Sequence, residues 1–270
     1  MRVAAPADEL LTLCRQLVDP DAHQVALHPG HDGTAVLRAS TSAGEVIVKA
    51  HRSPERHHQE VHAYRNWVGV LGDGAPEIVA VSTDPPAIIV AAIAGQQLSE
   101  ASLDCEEEAS AYSRAGALLR LFHDAGPPRL EPDISIRLAE RGEYWLNRGR
   151  DVITAAEIAD VRAHLHALTE LAPIEAVPCH LDFMPRNLLV RPGGGVAVID
   201  FEHSRYDLAA RDVVRLADRV WPERPDLEEA FLAGYGALDE RDREVIAHCI
   251  PLDRLTGTVR HSEARSVSLQ

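Results

Sequence analysis

Residues 7–18, ADELLTLCRQLV, place apolar side chains at helical spacing and predict an opening helix. From His23 to His51 the pattern changes to β-rich runs broken by glycine, which reads as strand, glycine turn, strand, turn, strand. Ser53 then offers an N-cap, Pro54 suits the first helical position, and Gly69 and Gly72 suit the end of the helix between them. Residues 77–95 give two more short strands around Pro85 and Pro86. The first ninety or so residues thus predict a five-stranded sheet with helices. After Gly95 the periodicity becomes helical, over 106–126, 135–149 and 154–172, the last opening on a Thr154/Glu157 capping box. One β segment interrupts this half, NLLVRPGGGVAVID at 187–200, and the tail from about Thr256 reads as polar and loose. The expected organisation is α+β and two-lobed, with 1–93 a β-rich lobe, 94–270 a mostly helical one, and a hinge at Ala91–Gly95.

Composition narrows the partners. A hydrophobic fraction of 46% and a charged fraction of 26% describe a soluble globular chain. A formal charge of −15 would repel a phosphate backbone, so nucleic acid is not expected as a partner, whereas a cationic small molecule would be attracted. Acidity of this kind also serves solubility alone. No apolar run reaches the ~18–20 residues of a membrane span, and the start meets Asp8 and Glu9 before any signal-type core. Cys14, Cys105, Cys179 and Cys249 form no C-x-x-C pair and predict reduced thiols in a cytoplasmic protein. Lysine and arginine total 27, and Lys49 is the only lysine. A chain that uses arginine wherever a positive charge serves has kept one ammonium at the end of the apolar run GEVIVKAH.

The segment CHLDFMPRNLLVRPGGGVAVIDFEHS, 179–204, concentrates the candidate chemistry. With PGGG as a four-residue hairpin loop, Arg191 faces Val196, and pairing outward sets Asn187 opposite Asp200. Directly opposed residues have Cβ atoms about 5 Å apart, so this register would deliver an amide oxygen and a carboxylate to one spot. Hard oxygen ligands of this sort suit Mg²⁺, which takes one or two protein ligands and leaves the rest of its octahedron to phosphates and water. Asp182 lies five residues before Asn187.

His180, Asp182, Asn187 and Asp200 together resemble the catalytic loop and metal aspartate of kinases. They resemble in particular the aminoglycoside phosphotransferase and choline kinase family, whose pattern is H-G-D-x-x-x-x-N followed, after a hairpin, by isoleucine-aspartate. Here the matching stretches are HLDFMPRN and VIDFE, and the likeness extends over nearly the whole chain. The resemblance implies a two-lobed protein-kinase-like fold and transfer of the γ-phosphoryl group of ATP or GTP to a hydroxyl. By the same resemblance Asp182 is the proton acceptor, Asn187 and Asp200 hold Mg²⁺, and Lys49, held by Glu60 on the next helix, contacts nucleotide phosphates. Lysine is a compact charge on a flexible stem and fits between phosphate oxygens and a carboxylate where arginine's wide fork does not. The hairpin HPGHDGTAV, with Gly30, Gly33 and Thr34, corresponds to the phosphate-covering loop. Ala91 and Ile93 correspond to the inter-lobe hinge that pairs with the base. His180 is implied to orient the loop and Asp212 to brace it.

Two departures qualify the likeness: Leu181 replaces the usual glycine, so the turn before Asp182 is made without one, and Phe201 and Glu202 follow the metal aspartate where protein kinases have D-F-G. Only 12 residues run from Asp200 to Asp212, too few for a phosphorylatable activation segment. Small acceptors are therefore favoured over proteins. A glycosidase-type carboxylate pair would leave Asn187 and Lys49 unexplained. His57, His58 and His62, or His164 and His166, invite a metal reading, but the spacing of four puts only His58 and His62 on one helical face, a third ligand and a catalytic glutamate arrangement are missing, and solvated surface histidines are expected. The expected acceptor is a cationic molecule such as an aminoglycoside-type antibiotic, which would make the enzyme one of antibiotic resistance, with choline, ethanolamine, another amino alcohol or a sugar as alternatives. Asp226, Glu228, Glu229, Asp239, Glu240 and Asp242 would either line such a pocket or form solvated helix faces. A catalytically weak nucleotide-binding module is the reading from another class.

Overall fold

The structure is a computed structural model that describes residues 7–29, 35–171 and 173–268. Gly30, Gly33 and Thr34, the expected phosphate-loop residues, lie outside the described residues. Helix α1, Ala7–Leu17, packs on an antiparallel sheet of β1 (His23–Pro29), β2 (Ala35–Thr41), β3 (Gly44–Ala50), β4 (Ile78–Thr83) and β5 (Pro86–Ala91), in the order β1-β2-β3-β5-β4. Between β3 and β4 runs α2, Pro54–Asn66, whose first turn is capped by the Ser53 hydroxyl accepting from the Arg56 N–H at 3.4 Å. This helix ends before the two glycines, and a 3₁₀ turn, Val68–Gly74, carries the chain on through Gly72 at φ 54°.

Strand alternation assigns the two faces of this sheet. Val46, Val48 and Ala50 of β3, with Ala87 and Ile89 of β5, join Leu10, Leu13 and Cys14 of α1 in one buried cluster. Ile47, Ile88 and Val90 point the other way, into a larger cluster that runs through α2 into the helical half. Lys49 shares the Ile47 face. Period two therefore turns the only lysine away from the α1 core and towards the rest of the molecule.

The second half is built of α3 (Cys105–His123), α4 (Ile134–Arg148), α5 (Ala155–Glu170), α6 (Val214–Arg219), α7 (Pro225–Tyr235) and α8 (Glu240–Ser268). The Thr154/Glu157 capping box forms at the start of α5, and α3 carries a second one, Asp104/Glu107. Helices α3 and α7 approach closely at Gly116 and Gly234, where a Cβ would run into the Phe231 and Ser113 carbonyls. The expectation of a single β segment here is corrected. Besides β9 (Leu188–Val190) and β10 (Val196–Val198), short strands occur at β6 (Gln96–Gln97), β7 (Arg129–Leu130), β8 (Glu175–Cys179) and β11 (Arg205–Asp207). They form two small sheets, β10-β9-β6 and β11-β8-β7. The expected loose tail is corrected as well, since α8 runs on to Ser268 and buries Leu252, Leu255, Thr256 and Val259 on one face.

Candidate active site

The β9–β10 hairpin differs from its expected register by one residue. Val190 pairs with Val196, Leu189 with Ala197 and Leu188 with Val198, so the loop is five residues, Arg191–Gly195, with Gly193 and Gly194 at φ 85° and 83°. Asn187 consequently meets Ile199, whose N–H donates to its carbonyl at 3.0 Å, and not Asp200. A one-residue slip would send Asp200 to the wrong face. The chain restores its aim with a left-handed residue, Asp200 itself, at φ 71°. Phe201 anchors the turn, fully buried against Tyr64, Phe122 and His180 with ring centroids 5.4, 5.4 and 5.0 Å away.

On either side of that anchor, Asp200 and Glu202 both reach Lys49. The Lys49 ammonium pairs with Asp200, although the two are 151 residues apart in sequence, with Glu202 at 2.8 Å and with Glu60 at 3.2 Å. Glu60 sits in the buried stripe His57, Glu60, Val61, Tyr64 of α2, the i, i+3, i+4, i+7 spacing of a packed helix face. It also pairs with His51, and Glu202 pairs with Arg56. Burial favours the neutral amine of Lys49, but Glu60, Asp200 and Glu202 outweigh it and hold its pKa well above the ordinary value. Burial opposes ionisation of Asp200 and Glu202 in turn, and Lys49 overcomes it, leaving both pKa values lowered.

The loop carrying Asp182 is fixed from behind. Asp212 accepts N–H bonds from Leu181 and, at 2.8 Å, from His180, and its Oδ2 lies 2.9 Å from Nε2 of buried His123. The His180 Nε2 lies 3.0 Å from the Ile199 carbonyl, which only accepts, so this nitrogen carries the proton and Nδ1 is left to accept the Asp182 N–H at 3.2 Å. One imidazole thus ties the end of β10 to the catalytic-loop candidate. Leu181 makes its turn in the left-handed region, at φ 61°, without the glycine such a turn favours. Left-handed backbone costs a residue with a Cβ about 1–2 kcal/mol. Leu181→Gly is therefore expected to leave turnover intact and shift stability by no more than about 1 kcal/mol, whereas Leu181→Val costs about 1–2 kcal/mol because β-branching crowds this region. Denaturant midpoints of the two variants check the ordering.

Asp182 is enclosed by donors. Arg186 Nη2 lies 2.9 Å from both of its oxygens, Arg215 pairs with Oδ1, and Asn187 Nδ2 donates to Oδ2 and to the Asp182 carbonyl, each at 2.8 Å. Burial raises the pKa of Asp182, but Arg215 and Arg186 prevail and keep it ionised. Because the Asn187 amide nitrogen is spent on Asp182, its oxygen remains the atom that can serve a cation. With the Asp200 carboxylate near enough to Asp182 for the charge there to oppose its ionisation, these are hard donors of the kind Mg²⁺ accepts. His203 beside them is pushed down to about 4 by burial and by Arg56, so it is neutral at pH 7.

The hinge residues differ in what they leave free. The Ala91 N–H is committed to the Glu77 carbonyl at 2.8 Å and the Ala92 N–H to the Glu45 carbonyl at 2.9 Å, while the Ile93 N–H makes no backbone bond among the described residues. Lys49, Glu60, His180, Asp182, Asn187, Asp200 and Asp212 are brought into one connected network. The sequence marks Glu202 only as a departure after Asp200, with no role, and gives His51, His123, Arg186 and Arg215 no local signal.

Of the histidines doubted as ligands, His57 is buried with Nε2 3.2 Å from the Ala87 carbonyl, and His58 stacks on His62 at the exposed face of α2. The late acidic residues lie elsewhere. Asp226 pairs with Arg224, and Asp239 and Asp242 cap α8 beside a cavity of about 500 Å³ lined also by Arg120, His123 and Tyr235, which does not include Asp182.

A family model described as the phosphotransferase enzyme family matches residues 23–247. The chain belongs to that family. No curated protein matches it. Among solved structures it is similar to a choline/ethanolamine kinase family protein from Mesorhizobium loti, 22% identical over 96% of this chain and 88% of that one, TM-score 0.68. It is also similar to an aminoglycoside-3'-phosphotransferase of type VIII, 20% identical over 92% and 98%, TM-score 0.66. A spectinomycin phosphotransferase solved with ADP and spectinomycin is 15% identical over 96% and 88%, TM-score 0.66. At these identities the likeness shows the fold, a five-stranded antiparallel sheet joined to a helical lobe. No helix among the described residues is long and apolar enough to cross a membrane.

Proposed function

We propose that this phosphotransferase moves the γ-phosphoryl group of ATP or GTP to a hydroxyl of a small, amine-bearing molecule, of the aminoglycoside-antibiotic or amino-alcohol kind, in the cytoplasm. Residues 1–93 would bind the nucleotide and 94–270 would carry the catalytic loop and the acceptor. The observation that carries the reading is the Lys49–Asp200 pair, held by Glu60 on one side and neighboured by ionised Asp182 on the other. Lys49 is placed to neutralise nucleotide phosphates, and Asp182 to orient the acceptor hydroxyl and take its proton. Asn187 and Asp200 would hold Mg²⁺, which supplies charge neutralisation on the phosphates. In a loose transition state most of the rate comes from such positioning and neutralisation. A formal charge of −15 and the substrates named for the similar structures support an amine-bearing acceptor.

The test is nucleoside diphosphate release with Mg²⁺, ADP from ATP and GDP from GTP in separate runs, against a panel of aminoglycosides, macrolides, amino alcohols and sugars. Acceptor-dependent release is expected with one class. Nucleotide binding without turnover on any acceptor would favour the module. Asp200→Ala is expected to lose metal-dependent nucleotide binding, and undiminished binding would overturn its assigned role.

A further inference from the structure

The Asp182 carboxylate has four lone-pair sites, and four hydrogen bonds from three donors fill them: Arg186 Nη2 on both oxygens, Arg215 on Oδ1 and Asn187 on Oδ2. An acceptor hydroxyl has nowhere to bind until one donor leaves. Asn187 is buried and bonded twice to the Asp182 residue. Arg215 is pinned a second time, its Nε donating to Asp253 at 2.9 Å, and Asp253 is itself held by Arg219. Arg186 has no such second anchor. Among the described residues its other bond is to the Met184 sulfur at 3.2 Å, a weak acceptor, and its side chain is 46% exposed.

We propose that Arg186 plugs the acceptor subsite in the free enzyme and, when substrates bind, exchanges Asp182 for the transferring phosphoryl group, acting as an arginine finger supplied in cis. This rests on the phosphotransfer reading of the site. A hydroxyl that hydrogen-bonds Asp182 at ~2.6–3.2 Å and attacks phosphorus from ~3–3.5 Å places that phosphorus only a few ångströms from where the guanidinium now lies. In the reaction the hydroxyl oxygen forms its bond to the γ-phosphorus as the bond to the β-phosphate oxygen breaks, and the electron pair leaves with the diphosphate. The hydroxyl proton passes to Asp182. Arg186 transfers nothing and neutralises charge on the equatorial oxygens. Lys49, assigned to the nucleotide phosphates, is caged by Glu60, Asp200 and Glu202, and Arg215 is held by Asp253, so Arg186 is the cation on Asp182 with room to turn onto those oxygens. The exchange also uncovers one site on each Asp182 oxygen, and one lone pair suffices to take the hydroxyl proton.

The experiment compares wild type with Arg186→Ala and Arg186→Lys in acceptor-dependent turnover and in binding of ATP and of MgADP with aluminium fluoride, a mimic of the phosphoryl in flight. Arg186→Ala is expected to lower kcat by about 100-fold or more and weaken the fluoride complex by at least about 10-fold, with ATP affinity within about twofold. Arg186→Lys should recover part of both losses. Faster turnover of Arg186→Ala with an unchanged fluoride complex would leave the plug and overturn the finger. Slower turnover with an unchanged fluoride complex would make Arg186 a brace of Asp182 and overturn the proposal too. The binding arm needs no acceptor, so it decides the role of Arg186 even if the whole panel yields no turnover, a result that would sink the kinase reading alone.

Discussion

Lys49→Met is expected to abolish turnover and to destabilise the protein by about 3 kcal/mol at neutral pH, the low end of what breaking a buried ion pair costs. The ammonium is the shared partner of three carboxylates, of which Glu60 is buried, Glu202 mostly buried and Asp200 half-buried. Its removal leaves Glu60 with His51, Glu202 with Arg56 and the more distant His203 at 3.6 Å, and Asp200 without an ion-pair partner among the described residues. The sign of the pH dependence follows. In the native protein Asp200 and Glu202 have lowered pKa values, so their pairing with Lys49 contributes stability above the ordinary carboxylate range and loses it as pH falls. In the variant the crowded carboxylates are pushed up instead, so the folded state holds protons more tightly and its penalty shrinks as pH falls. The stability gap should therefore be wide at pH 7 and narrow towards about pH 5, read from denaturant midpoints at both. Lys49→Arg should keep most of the stability and still lose turnover, because the planar fork does not occupy a point-charge site. A Lys49→Met protein as stable as wild type at pH 7 would contradict the three-carboxylate cage.

How far these features could be read from the chain depends on the range of the interaction that fixes each. Strand alternation is local, so the face of Lys49 and the five strands of the first sheet were legible from period two. So was the stripe that buries Glu60, though its polarity disguised it as surface. The hairpin was legible and its register was not, because three consecutive glycines allow more than one loop and the choice depends on which two adopt left-handed backbone. Asp200 reaches Lys49 by a left-handed turn that no pattern announces. Arg186 and Arg215 were hidden among 26 arginines, and only folding brings α6 over the Asp182 loop. The strands of two or three residues have no period to detect. The end of α8 was masked by its polar outer face, although Leu252, Leu255, Thr256 and Val259 are spaced as a buried helical stripe.

Asp182→Asn is the sharpest test of the assigned chemistry, because it preserves shape while removing both the charge and the proton acceptor. The amide turns a donating NH₂ towards groups that only donate, so Arg186 loses one of its two bonds and either Asn187 or Arg215 loses its bond to this side chain. Arg215 keeps Asp253 and Arg186 is half exposed, so the fold should survive with a loss of about 1–2 kcal/mol. Turnover should fall by about 10³-fold, within the range of a lost general base in a positioned site. ATP affinity should change by less than about threefold, since Lys49, Glu60 and Asp200 keep their contacts with one another and uniform binding is not what Asp182 supplies. That split separates Asp182 from Asp200, whose replacement is expected to remove metal-dependent nucleotide binding itself. Steady-state ADP release and ATP titration on the same preparation make the comparison. A variant within tenfold of wild type in kcat would mean that the hydroxyl proton leaves by another route and that Asp182 serves chiefly to hold its arginines. Equal loss of nucleotide affinity and turnover would instead place Asp182 on the phosphate side of the site and overturn its role as the acceptor's base.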